Sequence, residues 1–71
     1  MFWWRRTAVR KRVVVNLADK AFDGVLWAKR GPLLVLRDVT LLEPGAEPQK
    51  LDGKVVVERR KVEFIQEPGG D

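Results

Sequence analysis

Residues 13–42, VVVNLADKAFDGVLWAKRGPLLVLRDVTLL, decide the fold of this 71-residue chain. Runs rich in Val, Leu, Phe and Trp are separated here by short polar turns at residues 18–20 and 30–32, a pattern typical of consecutive antiparallel strands. Gly24 lies in the second run, where the apolar residues lose their period of two, and this predicts a bulge or a sharp bend. The stretch therefore predicts a bent three-stranded meander, as in small barrels.

The chain after residue 42 completes the predicted sheet. Residues 43–49, EPGAEPQ, have the composition of a surface loop, and the Asp-Gly turn signal at 52–53 precedes a fourth strand at 55–57. A fifth strand is predicted at 61–66, KVEFIQ, before a flexible tail at 67–71. The fold class is thus all-β, a five-stranded bent barrel over residues 13–66 that follows an N-terminal arm or short helix at 1–12.

Several residues of the second and third strands receive specific assignments. Phe22 and Leu26 are predicted to lie in the core, and Trp27 is interpreted as a packed rim residue or, alternatively, a ligand platform. Arg37 and Asp38 interrupt the longest apolar run and are interpreted as ordinary solvated charges at an exposed or register-changing position.

Residue usage argues against catalysis. The sequence has no Cys, His, Tyr or Ser, so thiol and hydroxyl nucleophiles are scarce and the commonest metal ligand and neutral-pH base are missing. A barrel of this size is filled by its own side chains and leaves little room for a substrate pocket. We expect no enzyme activity, no metal and no cofactor. A domain this short is marginally stable alone, which favours self-association.

Positive charge is concentrated in the first twelve residues. The formal net charge is +4, and five cations in this segment leave −1 on the rest of the chain. An acidic partner would therefore meet the arm rather than the barrel. These cations, the candidate nucleic-acid contacts, are Arg5, Arg6, Arg10, Lys11 and Arg12.

Three interpretations of the arm stay open. In the first, the arm docks on a protein partner, because aromatic residues with Arg are enriched at protein interfaces. In the second, it contacts nucleic acid by phosphate neutralisation and stacking. In the third, it lies at a membrane interface, but one short arm would bind lipid only weakly, so a membrane partner is not expected. The protein-docking residues are Phe2, Trp3, Trp4, Arg5 and Arg6.

The apolar pattern resembles the Sm/LSm family of small β-barrels. The first Sm motif is matched by Val13, Val15, Leu17, Gly24, Leu26, Leu34 and Leu36, and the second by Val57, Val62 and Ile65. The resemblance covers residues 13–66. It implies an N-terminal helix, a bent five-stranded SH3-like or Sm-like barrel, and rings in which the fourth strand of one subunit pairs with the fifth of the next.

The family's RNA-binding segment, D-x-x-M-N, falls here on residues 29–33, KRGPL, which contain neither Asp nor Asn. The Arg-Gly of the second motif falls on Glu58-Arg59 or on Arg59-Arg60. The resemblance therefore implies the scaffold and its assembly rather than uridine binding. The residues assigned to subunit pairing are Val55, Val56, Val57, Val62, Phe64 and Ile65.

The chain is also similar to small Sm-like structural proteins of phages with GC-rich actinobacterial hosts, which begin with a comparable aromatic and arginine-rich arm. This resemblance implies a virion component associated with the capsid, portal or tail. No export signal is apparent in the sequence, so the expected location is the virion or the host cytoplasm. The sequence thus predicts a structural, self-assembling module, with a nucleic-acid-binding regulator as the alternative.

Overall fold

A computed structural model describes residues 7–68, with side chains described from residue 10 onward. These residues form an antiparallel sheet and a single 3₁₀ turn. The sheet confirms the all-β class. The strands are β1 Thr7–Asn16, β2 Ala21–Arg30, β3 Leu33–Leu42, β4 Gln49–Lys50, β5 Lys54–Glu58 and β6 Phe64–Gln66, with the 3₁₀ turn at Arg59–Lys61.

β1, β2 and β3 form a meander, and the later strands pair with its two outer strands, β1 and β3. Its order is β4-β3-β2-β1-β6, and β5 also pairs with β3. The edge of β3 away from β2 is therefore shared, with β5 along residues 33–37 and β4 at residues 40–41. Within residues 7–68 no ladder joins β5 to β6, so the sheet is open.

Two predicted boundaries on the sheet are wrong. β1 begins at Thr7 rather than at Val13, because β2 extends far enough for its Lys29 to pair with Thr7. The charged residues 10–12 occupy exposed positions of this strand. The predicted arm is thus shortened to residues 1–6, which lie outside the described part of the chain. Gln49, the last residue of the predicted loop, and Lys50 form the additional short strand β4.

The core lies within the bent sheet and confirms the assignment of Leu26, which is 4% exposed; Phe22 is half-buried and packs against it. β1 alternates inward and outward, with Val13 and Val15 buried, as expected for a strand covered on one face. The buried cluster consists of Val13, Val15, Leu26, Leu34, Leu36, Val39 and Val57.

The irregularity predicted at Gly24 is confirmed as a bulge, but the extra residue lies on β3 and not on β2, and the two strands approach closely there. Asp23 pairs with Thr40 but Val25 pairs with Arg37, so β3 has one extra residue opposite Gly24. A Cβ atom at Gly24 would lie 2.9 Å from Val39 Cγ2 and 3.0 Å from the Arg37 carbonyl oxygen. Only glycine lets β2 and β3 pack this closely.

Two more bulges change which side chains share a face. Trp27 is the extra residue of β2 between the paired residues Leu26 and Ala28. β1 has an extra residue between Ala8 and Lys11, where Arg10 takes a φ of 57°. Asp38, in the β3 bulge, has a φ of 55°. Left-handed backbone is uncommon for residues other than glycine, and here it occurs at bulges that redirect charged side chains.

Candidate functional site

The last two strands carry the exposed apolar side chains of the described chain. Val56 on β5 is 52% exposed, and Phe64 and Ile65 on β6 are 55% and 40% exposed. β5 pairs with β3 and β6 pairs with β1, so each has one strand edge without a partner among residues 7–68. We call these the pairing edges. They contain most of the residues that the sequence assigned to subunit pairing.

Val62 is the exception among those residues. The predicted fifth strand began at Lys61, but the 3₁₀ turn extends through Lys61 and β6 begins only at Phe64. Val62 is half-buried and packs against the core, while its backbone N–H donates to the carbonyl oxygen of Arg59 at 3.0 Å. Its assignment to a pairing strand is therefore wrong. Val55 and Val57 also face inward, half-buried and buried respectively.

Three of the five basic residues predicted to bind phosphate lie on β1. Lys11 Nζ lies 3.3 Å from Glu67 Oε1, and Arg12 pairs with Asp23 at 3.5 Å and with Asp38 at 3.4 Å. Lys11 and Arg12 thus already have carboxylate partners within the chain. Arg10 has a different environment, because its guanidinium carbon lies 3.9 Å from the centroid of the Trp27 ring.

Trp27 is also approached by Arg37, whose guanidinium carbon lies 5.0 Å from the ring centroid. Both distances fall within the range of cation–π attraction. Trp27 is half-buried, which agrees with the rim interpretation, but its ring also holds two cations in place. The only signal of this arrangement in the sequence is indirect, the loss of alternation around residue 27. Arg37, interpreted as an ordinary solvated charge, is the residue that sequence reasoning missed.

An ion-pair network crosses the sheet beside these cations. Arg12 on β1 lies between Asp23 on β2 and Asp38 on β3, and Asp38 also pairs with Lys50 on β4. The hydrogen bond and the charge of Lys50, with a smaller contribution from Arg12, lower the pKa of the Asp38 carboxyl. All of these groups are exposed, so the network orients side chains more than it stabilises the fold.

Lys50→Gln is expected to raise the pKa of Asp38 towards its ordinary range, and Arg12→Gln to raise it less. Because the folded-state pKa is lowered, the stabilisation from this pair is complete above the unfolded value of about 3.9 and is lost as the pH falls through the folded value. NMR titration of the Asp38 carboxyl in both variants measures the shift. Lys29→Gln removes an equal charge opposite Leu34, at the other end of β3, and a shift of similar size in that variant would contradict the assignment.

A second set of cations lies at one end of the sheet. The β2–β3 turn places Arg30 next to Gly31 and Pro32, and the backbone N–H of Arg59 donates to the carbonyl oxygen of Pro32 at 2.8 Å. Thr7, where the described chain begins, pairs with Lys29 at the same end. Within residues 10–68, Lys29, Arg30 and Arg59 form no ion pair. We call this set the basic end.

A shallow depression of about 340 Å³ adjoins the β1–β2 turn, between residues 16–21 and residues 42–44. Asp19 and Lys20 in its wall pair with each other at 3.6 Å. Among the described residues no group of three His, Cys, Asp or Glu side chains is arranged to hold a metal ion.

The predicted docking residues Phe2, Trp3, Trp4, Arg5 and Arg6 lie outside the described part of the chain. Residues 7–68 also contain no helix with the length and apolar character needed to cross a membrane. No model of a known protein family matches the chain, and no curated protein matches it significantly.

Proposed function

We propose that this protein is a non-enzymatic assembly module whose open sheet follows the Sm-like strand pattern and whose copies join through the pairing edges. With the two-residue β4 set aside, the strand order is β5-β3-β2-β1-β6. The fourth and fifth strands of the Sm-like pattern thus lie at opposite edges of the sheet, as head-to-tail pairing requires. The observation that carries the proposal is the exposed apolar surface on these two strands.

The open part of the β1 edge differs from the pairing edges, and this difference supports the assignment. Residues 7–13 of β1 have no strand on the side away from β2 within the described chain, because β6 pairs only with residues 14–16. This edge contains the bulge at Arg10 and the charged side chains of Lys11 and Arg12. Bulges and basic side chains are features by which native proteins block the pairing of edge strands. β5 and β6 contain no bulge, and the charged residues of β5 lie only at its two ends, so these strands are open to a partner.

Pairing β5 of one copy with β6 of the next is heterologous, because it joins two different surfaces. Such contacts close into a ring when the rotation between copies divides a full turn, and otherwise they produce a filament. The paired backbone would supply hydrogen bonds, and Val56, Phe64 and Ile65 would supply apolar contact. A domain of this size gains stability from that burial, since its own core is small.

Residues 1–6 complete the proposal as a docking arm for a protein partner, with Phe2, Trp3 and Trp4 as anchors and Arg5 and Arg6 beside them. The arm precedes Thr7 at the start of β1, so its residues are not needed for the described ladder. The resemblance to phage structural proteins adds the proposal that this assembly is part of a virion. A truncation that tests docking has to end at Arg6.

Val56→Glu and Ile65→Lys are each expected to dissociate the assembly, because each places an unpaired charge in an apolar contact. The expected weakening is about 30-fold or more per interface, on the order of 2 kcal/mol. Native mass spectrometry of full-length protein measures the subunit number, and circular dichroism checks folding. Ala46→Lys, in the exposed loop, controls for added charge and should leave the assembly intact.

Mixing the two dissociated variants distinguishes the geometry. In head-to-tail pairing, the β5 edge of the Val56→Glu variant meets the β6 edge of the Ile65→Lys variant, so the two introduced charges are opposite in sign. The other interface is then unmodified, and alternating assemblies should form again. A wild-type protein that is a monomer at all concentrations tested would contradict the proposal. An assembly that both single variants leave unchanged would mean that other surfaces join the copies.

Nucleic-acid binding is the second candidate function, and one observation favours it. The basic end gathers Lys29, Arg30 and Arg59 without carboxylate partners among residues 10–68, close to the point where the arm joins the sheet. Unneutralised cations of this kind are typical of surfaces that contact phosphates. Lys11 and Arg12 support it less, because their charges are engaged on the sheet.

A further inference from the structure

Trp27 and the cations around it form a second charged surface, separate from the basic end. Arg10 on β1 and Arg37 on β3 approach the Trp27 ring from neighbouring strands, at 3.9 and 5.0 Å. Lys54 on β5 is the direct ladder partner of Arg37, so both project from the same face of the sheet. Arg10, Trp27, Arg37 and Lys54 therefore form a row across four strands, which we call the cation row.

The charges of the cation row are not balanced locally. Arg10, Arg37 and Lys54 form no ion pair with any of residues 10–68. The nearby carboxylates of Asp23 and Asp38 are held by Arg12 and Lys50. Like charges on adjacent strands repel each other, so an anion that bridges them would be bound favourably.

The contacts with the Trp27 ring prepare the two guanidinium groups for such an anion. A guanidinium held against an indole ring keeps its N–H donors in its own plane, where they fit two oxygens of a phosphate or carboxylate. The ring limits the rotamers of Arg10 and Arg37, so less entropy is lost when they bind. The left-handed backbone of Arg10, at the β1 bulge, places that residue beside Trp27.

We propose that the cation row binds the phosphates of a single-stranded nucleic-acid backbone. Three cations spread over β1, β3 and β5 suit a chain of successive anions better than one isolated carboxylate. The proposed contacts are with phosphates alone, so binding is independent of sequence. This inference rests on the second candidate function and moves its phosphate contacts from the basic end to the sheet face.

The test measures binding of full-length protein to a fluorescein-labelled single-stranded DNA of mixed sequence by fluorescence anisotropy over a salt series. Lys54→Gln should weaken binding about 5-fold and reduce the slope of log affinity against log salt by about 0.7, the value for one lost phosphate contact on a single strand. Arg37→Lys keeps the charge but loses the planar fork, and should also weaken binding about 5-fold.

Lys20→Gln, in the β1–β2 turn, is the matched control for a lost positive charge, and all variants are checked for unchanged melting temperature. Lys20→Gln should change the affinity less than about 2-fold. Arg30→Gln, at the basic end, distinguishes the two cationic surfaces. Loss of binding in Arg30→Gln, with Arg37→Lys and Lys54→Gln equal to wild type, would overturn the inference while the nucleic-acid function stands. No binding of the DNA at about 50 mM salt would overturn both, as would preferential binding of an acidic peptide.

Discussion

Gly24→Ala is expected to lower the free energy of unfolding by about 2 to 3 kcal/mol, the upper part of the range for overpacked sites. The added methyl carbon would lie 2.9 Å from Val39 Cγ2, 3.0 Å from the Arg37 carbonyl oxygen and 3.2 Å from Val39 Cα. A rotamer change at Val39 would relieve the first contact, but the other two are with backbone, so β2 and β3 would have to separate. Urea denaturation followed by circular dichroism measures the loss.

Gly53→Ala is the matched control for this substitution. Gly53 has a φ of +73°, and no atom lies within 4 Å of the position of its Cβ, so alanine there meets only backbone strain of about 1 kcal/mol. A double-mutant cycle with Val39→Ala should give a favourable coupling energy between positions 24 and 39, because the shorter side chain removes the closest contact. Equal losses for Gly24→Ala and Gly53→Ala would contradict the close-approach explanation.

Leu36→Ala is expected to destabilise the protein by about 3 kcal/mol, within the range for buried leucine. Leu36 is 0% exposed on β3, and its ladder partners are Leu26 on β2 and Val55 on β5, so truncation leaves a cavity that several strands surround. The same urea and circular dichroism measurement reports the change. A domain with this small a core would lose a large part of its stability.

Val56→Ala, in which a 52% exposed side chain is shortened, is the control and should change stability by less than about 0.5 kcal/mol in the monomer. If the copies assemble through β5, the same variant lowers stability in a way that depends on protein concentration. The core assignment would be wrong if Leu36→Ala and Val56→Ala destabilised dilute protein equally.

The central meander could be predicted from the sequence because its signals are local. The three runs of apolar residues, the turns between them and the irregularity at Gly24 each depend on neighbouring residues, and the structure has all of them. Leu26 was assigned to the core for the same reason. Apolar patterning of this kind reports burial directly, since the side chains of a strand alternate between its two faces.

The missed features depend on partners distant in sequence. Whether residues 7–12 form a free arm or a strand is decided by the length of β2, which the arm's own residues do not encode. The left-handed backbone of Arg10 and Asp38 has no glycine to signal it. The surroundings of Trp27 depend on bulges in two strands, and Arg37 reaches its ring only because of those register shifts.

The pairing of β1 with β6 determines the order in which the sheet can be completed. Residues 14–16 pair with residues 64–66, about fifty positions later in the chain, while β1, β2 and β3 are joined by short turns. Loop closure makes the local hairpins form early and this long-range pairing late. During synthesis, the outer edge of β1 therefore emerges from the ribosome well before its partner. The bulge at Arg10 and the basic side chains of Lys11 and Arg12, which directly precede the segment that β6 covers, would limit aggregation of the nascent chain during this interval.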